Sequence, residues 1–331
     1  MFSQDLHSFV SRRARWSLSA RRSLSASWTR SARWSRPARI AAIACASALA
    51  GIAVACGGEH PGTTGALLDD FGDTLFLGAA PTRVVSLNPV TTELIFALGA
   101  GDRLVGRTSW DLFPDAARAV PDLGPGMQPN VEAVLGQRPD LVLLYASEGN
   151  RLAAQQLRAA GVMTLSYRTD RVADLPRVTP IIARALGVPA QGMRVTDTVT
   201  ASLDAVRALP RPKEPLSAYW HIWDAPLMTI GGGSYLSELL TVVGVRNVFG
   251  DLEQPSPQVS REEIARRDPD VILAGPLAAE RIRTQPQWRT VRAVREGRVI
   301  TIDTTVVGRP GVRMGEAAWF LRRVLVDSMP K

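Results

Sequence analysis

From Arg83 onward, short runs of β-branched and aliphatic residues alternate with longer stretches whose apolar positions recur at helical spacing. The runs Arg83–Leu87, Leu104–Gly106, Leu141–Leu144, Val162–Leu165, Ser217–Trp223, Val271–Ala274 and Val299–Ile302 predict strands. Thr91–Leu98, Arg151–Ala160 and Tyr235–Val243 predict helices between them. Regular strand–helix alternation predicts an α/β architecture with parallel sheets. On the strand Ser217–Trp223, alternation places Tyr219, His221 and Trp223 on one face and Trp220 and Ile222 on the other, one set forming core.

Two segments of this pattern occur twice, in the same order. Glu93-Leu94-Ile95-Phe96-Ala97-Leu98-Gly99 matches Glu238-Leu239-Leu240-Thr241-Val242-Val243-Gly244, each a helix closed by glycine. Glu132 stands seven residues before Pro139-Asp140-Leu141-Val142, and Glu262 seven residues before Pro269-Asp270-Val271-Ile272. Each of these reads as a helix turning through Pro-Asp into a buried strand. Ordered recurrence predicts two similar lobes, residues 81–186 and 214–331. The intervening span, 187–213, holds one helix from Pro189 to Leu209 with apolar residues at Met193, Val199, Leu203, Val206 and Leu209. About 20 helical residues reach roughly 30 Å. A single stiff connection of this kind restricts relative motion of the lobes and makes the cleft between them the expected ligand site.

The first 80 residues follow a different pattern. Ile40 to Ala55 is apolar and small, preceded by arginines and too short to span a membrane comfortably, as expected of a signal sequence over residues 1–55. The sequence Ala53-Val54-Ala55-Cys56-Gly57-Gly58 resembles a bacterial lipoprotein cleavage site, with Ala53 where leucine is usual. That resemblance implies lipid on Cys56, export, and a membrane anchor that leaves the domain in water. Residues 56–80 are expected to be a tether.

Charge changes little once its position is known. The formal excess of +8 resides wholly in residues 1–55, which carry nine arginines and one acid. The remainder balances 30 bases against 30 acids, which argues against nucleic-acid binding. Cys45 and Cys56 are the only cysteines, and His221 the only histidine past residue 60. A disulfide framework or a cysteine nucleophile in the body is excluded. A secreted α/β hydrolase is the enzyme alternative, but there is no Gly-x-Ser-x-Gly elbow.

The body resembles the helical-backbone, cluster A solute-binding proteins of cobalamin, haem and siderophore ABC importers. The resemblance rests on Arg83-Val84-Val85-Ser86-Leu87-Asn88-Pro89 with Thr92-Glu93, Gly126-Met127 through Asp140-Leu141, Pro257-Gln258-Val259-Ser260-Arg261-Glu262, and Arg309 with Arg313. It implies a monomeric, non-enzymatic binding subunit that captures a corrinoid or, alternatively, a siderophore or haem, and delivers it to a permease dimer. No resident cofactor is implied, since such a ligand carries its own cobalt or iron. Glu132 and Glu262 match the family's two permease-docking glutamates, and two carboxylates at fixed spacing give a two-point register.

Trp110 and Tyr145 match family aromatics that face the ligand, and Trp223 and His221 belong to the densest aromatic patch. Flat macrocycles suit aromatic walls. Arg309 and Arg313 are candidate partners for ligand acids. Two aromatics of the cobalamin pattern are absent: Val306-Val307 and Gly124-Pro125 occupy their places. Gly231-Gly232-Gly233-Ser234 reads as a turn that is a candidate for ligand contact.

Overall fold

A computed structural model describes residues 65–328. The expected signal sequence and Cys56 lie outside the described residues.

The described residues begin with a hairpin of strands β1 (Ala66–Leu68) and β2 (Thr74–Phe76). Residues 66–76, within the span 56–80 expected to be a tether, form this hairpin. Leu67 is buried with Leu75 and Leu77 against the first core. Asp69 organises the turn: its Oδ1 accepts from the amides of Phe71 and Asp73 (3.0 and 2.9 Å), and its Oδ2 from Ser166 (3.1 Å). Only one inward position per strand is apolar, too weak a pattern to read.

The first lobe follows. Strands β3 (Val84–Leu87), β4 (Leu104–Gly106), β5 (Leu141–Tyr145) and β6 (Met163–Tyr167) form a parallel sheet in the order β4-β3-β5-β6. Helices α1 (Pro89–Ala97), α2 (Val131–Gly136), α3 (Glu148–Ala159) and α4 (Asp174–Ala185) accompany it. The 19-residue helix α5 (Pro189–Arg207) then leads to the second lobe. Its strands are β7 (Ser217–Asp224), β8 (Leu227–Thr229), β9 (Arg246–Asn247), β10 (Val271–Ala274) and β11 (Val299–Thr301). Its helices are α6 (Tyr235–Val243), α7 (Arg261–Arg267), α8 (Pro276–Thr284), α9 (Arg292–Arg295), α10 (Thr304–Val307) and α11 (Met314–Arg322). The strand order is β11-β10-β7, with β9 parallel to β7 and β8 antiparallel to it.

Stripped of β8, both sheets have the order second-first-third-fourth. Both are buried on two faces, which is why their strands read as unbroken apolar runs. In the first lobe Val84, Leu141, Leu143 and Leu165 pack on one side, and Val85, Leu87, Val142 and Leu144 on the other. In the second, Ala218, Trp220, Val271 and Leu273 oppose Tyr219, Ile272, Ala274 and Val299. The expectation that one face of β7 would be core thus becomes two: Tyr219 and Trp220 are both buried, and the strand surfaces only at its end, Ile222 to Asp224.

The Pro-Asp turns do the same work in each lobe. Asp140 Oδ2 accepts from the Thr82 amide and hydroxyl and from the Arg83 amide (2.8, 2.9 and 2.9 Å). Asp270 Oδ2 accepts from the Ser217 amide and hydroxyl (2.9 and 2.7 Å). Each carboxylate ties the third strand to the start of the first. Arg138 and Asp268, just before the prolines, both have positive φ (49° and 44°). The connecting helix starts with Pro at its first turn, where no amide hydrogen bond is lost. Val195 packs on the first lobe's core, and Val199, Leu203 and Val206 on the second's, so one rigid rod touches both.

Candidate functional site

A cavity of about 880 Å³ lies between the lobes. The first lobe lines it with Tyr145, Arg168, Asp170 and Arg171, at and beyond the carboxyl ends of β5 and β6, and the second with Ser234 and Tyr235. Carboxyl strand ends facing a crevice are where α/β folds place ligands. The Tyr145 hydroxyl donates to Asp170 Oδ1 and Oδ2 (2.9 and 3.0 Å). Burial, reinforced by this carboxylate, pushes the Tyr145 phenol up to about 12. Arg177 pairs with Asp70 (2.7 Å) and Asp174 (3.1 Å), and Arg171 with Glu238. The exposed Arg168 side chain has no carboxylate partner among the described residues.

Outside this cavity stand two of the aromatic candidates, Trp110 and Trp223. Trp110 is 60% exposed and Trp223 61% exposed. Trp223 follows the buried part of β7 and donates through Nε1 to the Ala225 carbonyl (3.0 Å). Trp110 sits in a loop fixed from beneath by Asp111, which is buried and accepts from Thr92 Oγ1 (2.6 Å) and Thr108 Oγ1 (2.5 Å). Burial raises the Asp111 carboxyl above its ordinary value against the pull of those bonds. Leu112, Phe113 and Met127 add exposed apolar surface to the same lobe. The Gly126-Met127 step has a steric origin: Gly126 has φ +79°, and a Cβ there would lie 2.6 Å from the Leu87 carbonyl oxygen.

His221 does not join this surface. It is 5% exposed, its Nε2 lies 3.0 Å from Asp224 Oδ1, and its ring meets Trp288 edge-on at 6.5 Å. Burial lowers its pKa, outweighing the attraction of Asp224. The ring belongs to the second lobe's core edge, because Trp288 closes over it.

Arg309 and Arg313 are also committed within the protein. Arg309 Nη1 donates to Glu93 Oε1 (3.2 Å) and Nη2 to the Trp110 carbonyl. Arg313 donates to both oxygens of Glu93 (3.1 Å each) and to the Thr305 carbonyl (2.7 Å), and its guanidinium lies 4.0 Å from the Phe113 ring centroid. Glu93 is 2% exposed and is the acid these arginines meet; the sequence reading placed it in a repeated motif and in the family resemblance, but not among the site residues. The glycine run 231–233 has a packing explanation as well. A Cβ at Gly231 or Gly233 would fall 2.0 or 2.2 Å from the carbonyl oxygens of Gln254 and Glu253. Ser234 caps α6 through the Leu236 amide (3.2 Å).

Glu132 and Glu262 occupy first turns of α2 and α7, after the caps Asn130 and Ser260, and both are exposed. Bonds to its own backbone and to Ser260 hold the Glu262 carboxyl below its ordinary value.

With this geometry in place, comparison with known proteins defines the class. The periplasmic binding protein family profile matches residues 84–306, and the chain belongs to that family. Its members are substrate-binding transport proteins, not enzymes; they are periplasmic and bind small ligands that they deliver to ABC permeases. The vitamin B12-binding protein of Pectobacterium atrosepticum is 26% identical over 245 residues, covering 72% of this chain and 87% of that protein. Among solved structures, the periplasmic haem-binding protein RhuT from Roseiflexus sp. RS-1, in apo form, superposes with a TM-score of 0.67 at 26% identity, covering 76% of this chain and 99% of that one. The periplasmic vitamin B12-binding protein BtuF of Vibrio cholerae gives a TM-score of 0.65 at 24% identity over 73% of this chain and 95% of that one, a likeness of fold.

Proposed function

We propose that this chain captures a corrinoid between its lobes and delivers it to an ABC permease dimer. The observation that carries the reading is the likeness to a vitamin B12-binding protein over most of both chains. Two exposed tryptophans, Trp110 and Trp223, support it by offering flat apolar area at little ordering cost. Tyr145 lines the cavity, whose volume of about 880 Å³ is in the range of small-molecule sites. Glu132 and Glu262 dock the permease, and lipid on Cys56 anchors the exported domain. A Cys56→Ser chain that fractionates with membranes as before, at unchanged mature mass, ends the anchor reading.

A second reading is favoured by one observation. Arg168 faces the cavity without a carboxylate partner among the described residues, as suits an acidic chelate such as haem or a carboxylate siderophore. Native mass spectrometry of the purified chain against cobalamin, cobinamide, haem and ferric siderophores separates the two. The corrinoid reading expects one retained corrinoid per chain. Alanine at Trp110, Tyr145 or Trp223 is expected to weaken binding by about 1–3 kcal/mol where the ring anchors the ligand. Retention of haem or a siderophore alone overturns it in favour of the second.

A further inference from the structure

Glu93 and Glu238 open the repeated Glu-Leu segment, on the helices that follow the first strand of each sheet, α1 and α6. Each carboxylate crosses to the other lobe. Glu93 accepts from Arg309 (3.2 Å) and Arg313 (3.1 Å), which lie between β11 and α11. Glu238 accepts from Arg171 Nε (2.5 Å) and the Val172 amide (2.7 Å), which lie between β6 and α4. Because β6 and β11 are the fourth strands of their sheets, both glutamates reach the same segment of the opposite lobe. Incidental surface pairs have no reason to fall at equivalent positions twice, in reciprocal directions.

We propose that Glu93 and Glu238 are paired cross-lobe latches, positioning residues that set the width of the cleft and with it the spacing of the ligand contacts. The inference rests on the reading of the interlobe space as the ligand cleft. The latches are unequal. Glu93 is 2% exposed and bound by two arginines, so it acts as the fixed side. The side chain of Glu238 is 28% exposed and bound by one arginine, Arg171, whose side chain lines the cavity itself. Glu238 is therefore the latch that an entering ligand reaches and that yields first.

The test measures lobe separation directly, without ligand. Spin labels are placed at Gln156→Cys on α3 and Gln287→Cys beyond α8, both exposed positions, in the full chain with Cys45 and Cys56 changed to Ser. Double electron–electron resonance then reads the distance distribution. Glu238→Gln is expected to broaden it and shift it to longer distances. Reversing the pair, Glu238→Arg with Arg171→Glu, is expected to restore the parental distribution, which loss of ordinary packing would not allow. An unchanged distribution in Glu238→Gln, or no restoration by the reversed pair, overturns the latch. Glu93→Gln is expected to give the larger shift; if that chain does not fold, Arg309→Gln reads the same latch from its half-buried partner. A failed ligand screen overturns the ligand reading and leaves this distance measurement untouched.

Discussion

The two lobes share a scaffold and differ in what they carry on it. Both sheets have the same strand order, and both tie the third strand to the first with an aspartate after proline, Asp140 in one and Asp270 in the other. Yet the first lobe's core is almost wholly aliphatic, with Tyr167 its one buried ring, whereas the second packs Tyr219, Trp220, Tyr235, Phe249 and Trp288. The cleft faces diverge in the same way. One contributes Tyr145 and charged groups after β6; the other contributes Tyr235 and a glycine loop held by backbone packing. What recurs is what the backbone requires at turns and strand starts. What differs is side-chain chemistry, which a duplicated scaffold leaves free to specialise.

The proposed docking glutamates give this comparison its sharpest test, because equivalence of Glu132 and Glu262 is a claim about both lobes at once. Alanine at either is expected to impair uptake, and the double change to abolish it. Ligand affinity of the isolated protein stays within about twofold, roughly 0.4 kcal/mol. Charge reversal to Arg is expected to be worse than Ala, since it sets like charges against each other at the docking surface. Normal transport by the double variant, measured as whole-cell uptake of labelled ligand, reduces both residues to ordinary first-turn acids near a helix dipole.

The latches divide the lobes by magnitude. Removing the buried Glu93 leaves Arg309 and Arg313 facing each other without their shared counter-ion, and breaking such a pair costs about 3–5 kcal/mol. Glu238 and Arg171 are solvated, and pairs of that kind contribute about 0–1 kcal/mol. Glu93→Ala is therefore expected to lower the urea midpoint well beyond Glu238→Ala. Equal losses would mean that the two sites are alike in energy as well as position.

These residues also mark the limit of what the sequence discloses. The strands, the connecting helix and the paired Pro-Asp turns follow from local pattern: β-branched runs, a proline at a helix start, and a repeated spacing. Glu93 and Glu238 were visible as the first residue of a repeat, but their partners lie 216 and 67 residues away, and no local signal specifies a contact at that range. The burial of His221 was not legible for a related reason, since alternation predicts a face and not which neighbour, here Trp288, lies against it. The hairpin over residues 66–76 was hidden because each strand turns only one apolar residue inward, and the Asp69 bond to the Ser166 amide that helps hold it is long-range.

The turn aspartates offer the smallest and most symmetric effect. Bonds from the Thr82 amide and hydroxyl hold the Asp140 carboxyl below its ordinary value. At Asp270 partial burial opposes the charge, but bonds from Ser217 and Arg292 outweigh it, and the carboxyl again titrates low. A carboxylate whose folded pKa lies below its unfolded value stabilises the fold above the unfolded pKa, near about 3.9, and loses that contribution as pH falls through the folded value. Both lobes should therefore weaken together on the acid side. Asp140→Asn and Asp270→Asn each keep an oxygen acceptor while deleting the charge, so the cost at neutral pH is expected to be below about 1 kcal/mol for the exposed Asp140. The cost is larger for Asp270, because Arg292 loses a partner at 3.0 Å. The distinguishing readout is slope. Urea midpoints followed from about pH 6 down to about pH 3 should fall less steeply in either variant than in the parent, since the group that takes up the proton is gone. Curves that run parallel to the parent would show that these carboxyls titrate alike in folded and unfolded chains, and that the repeated turn is held by geometry alone.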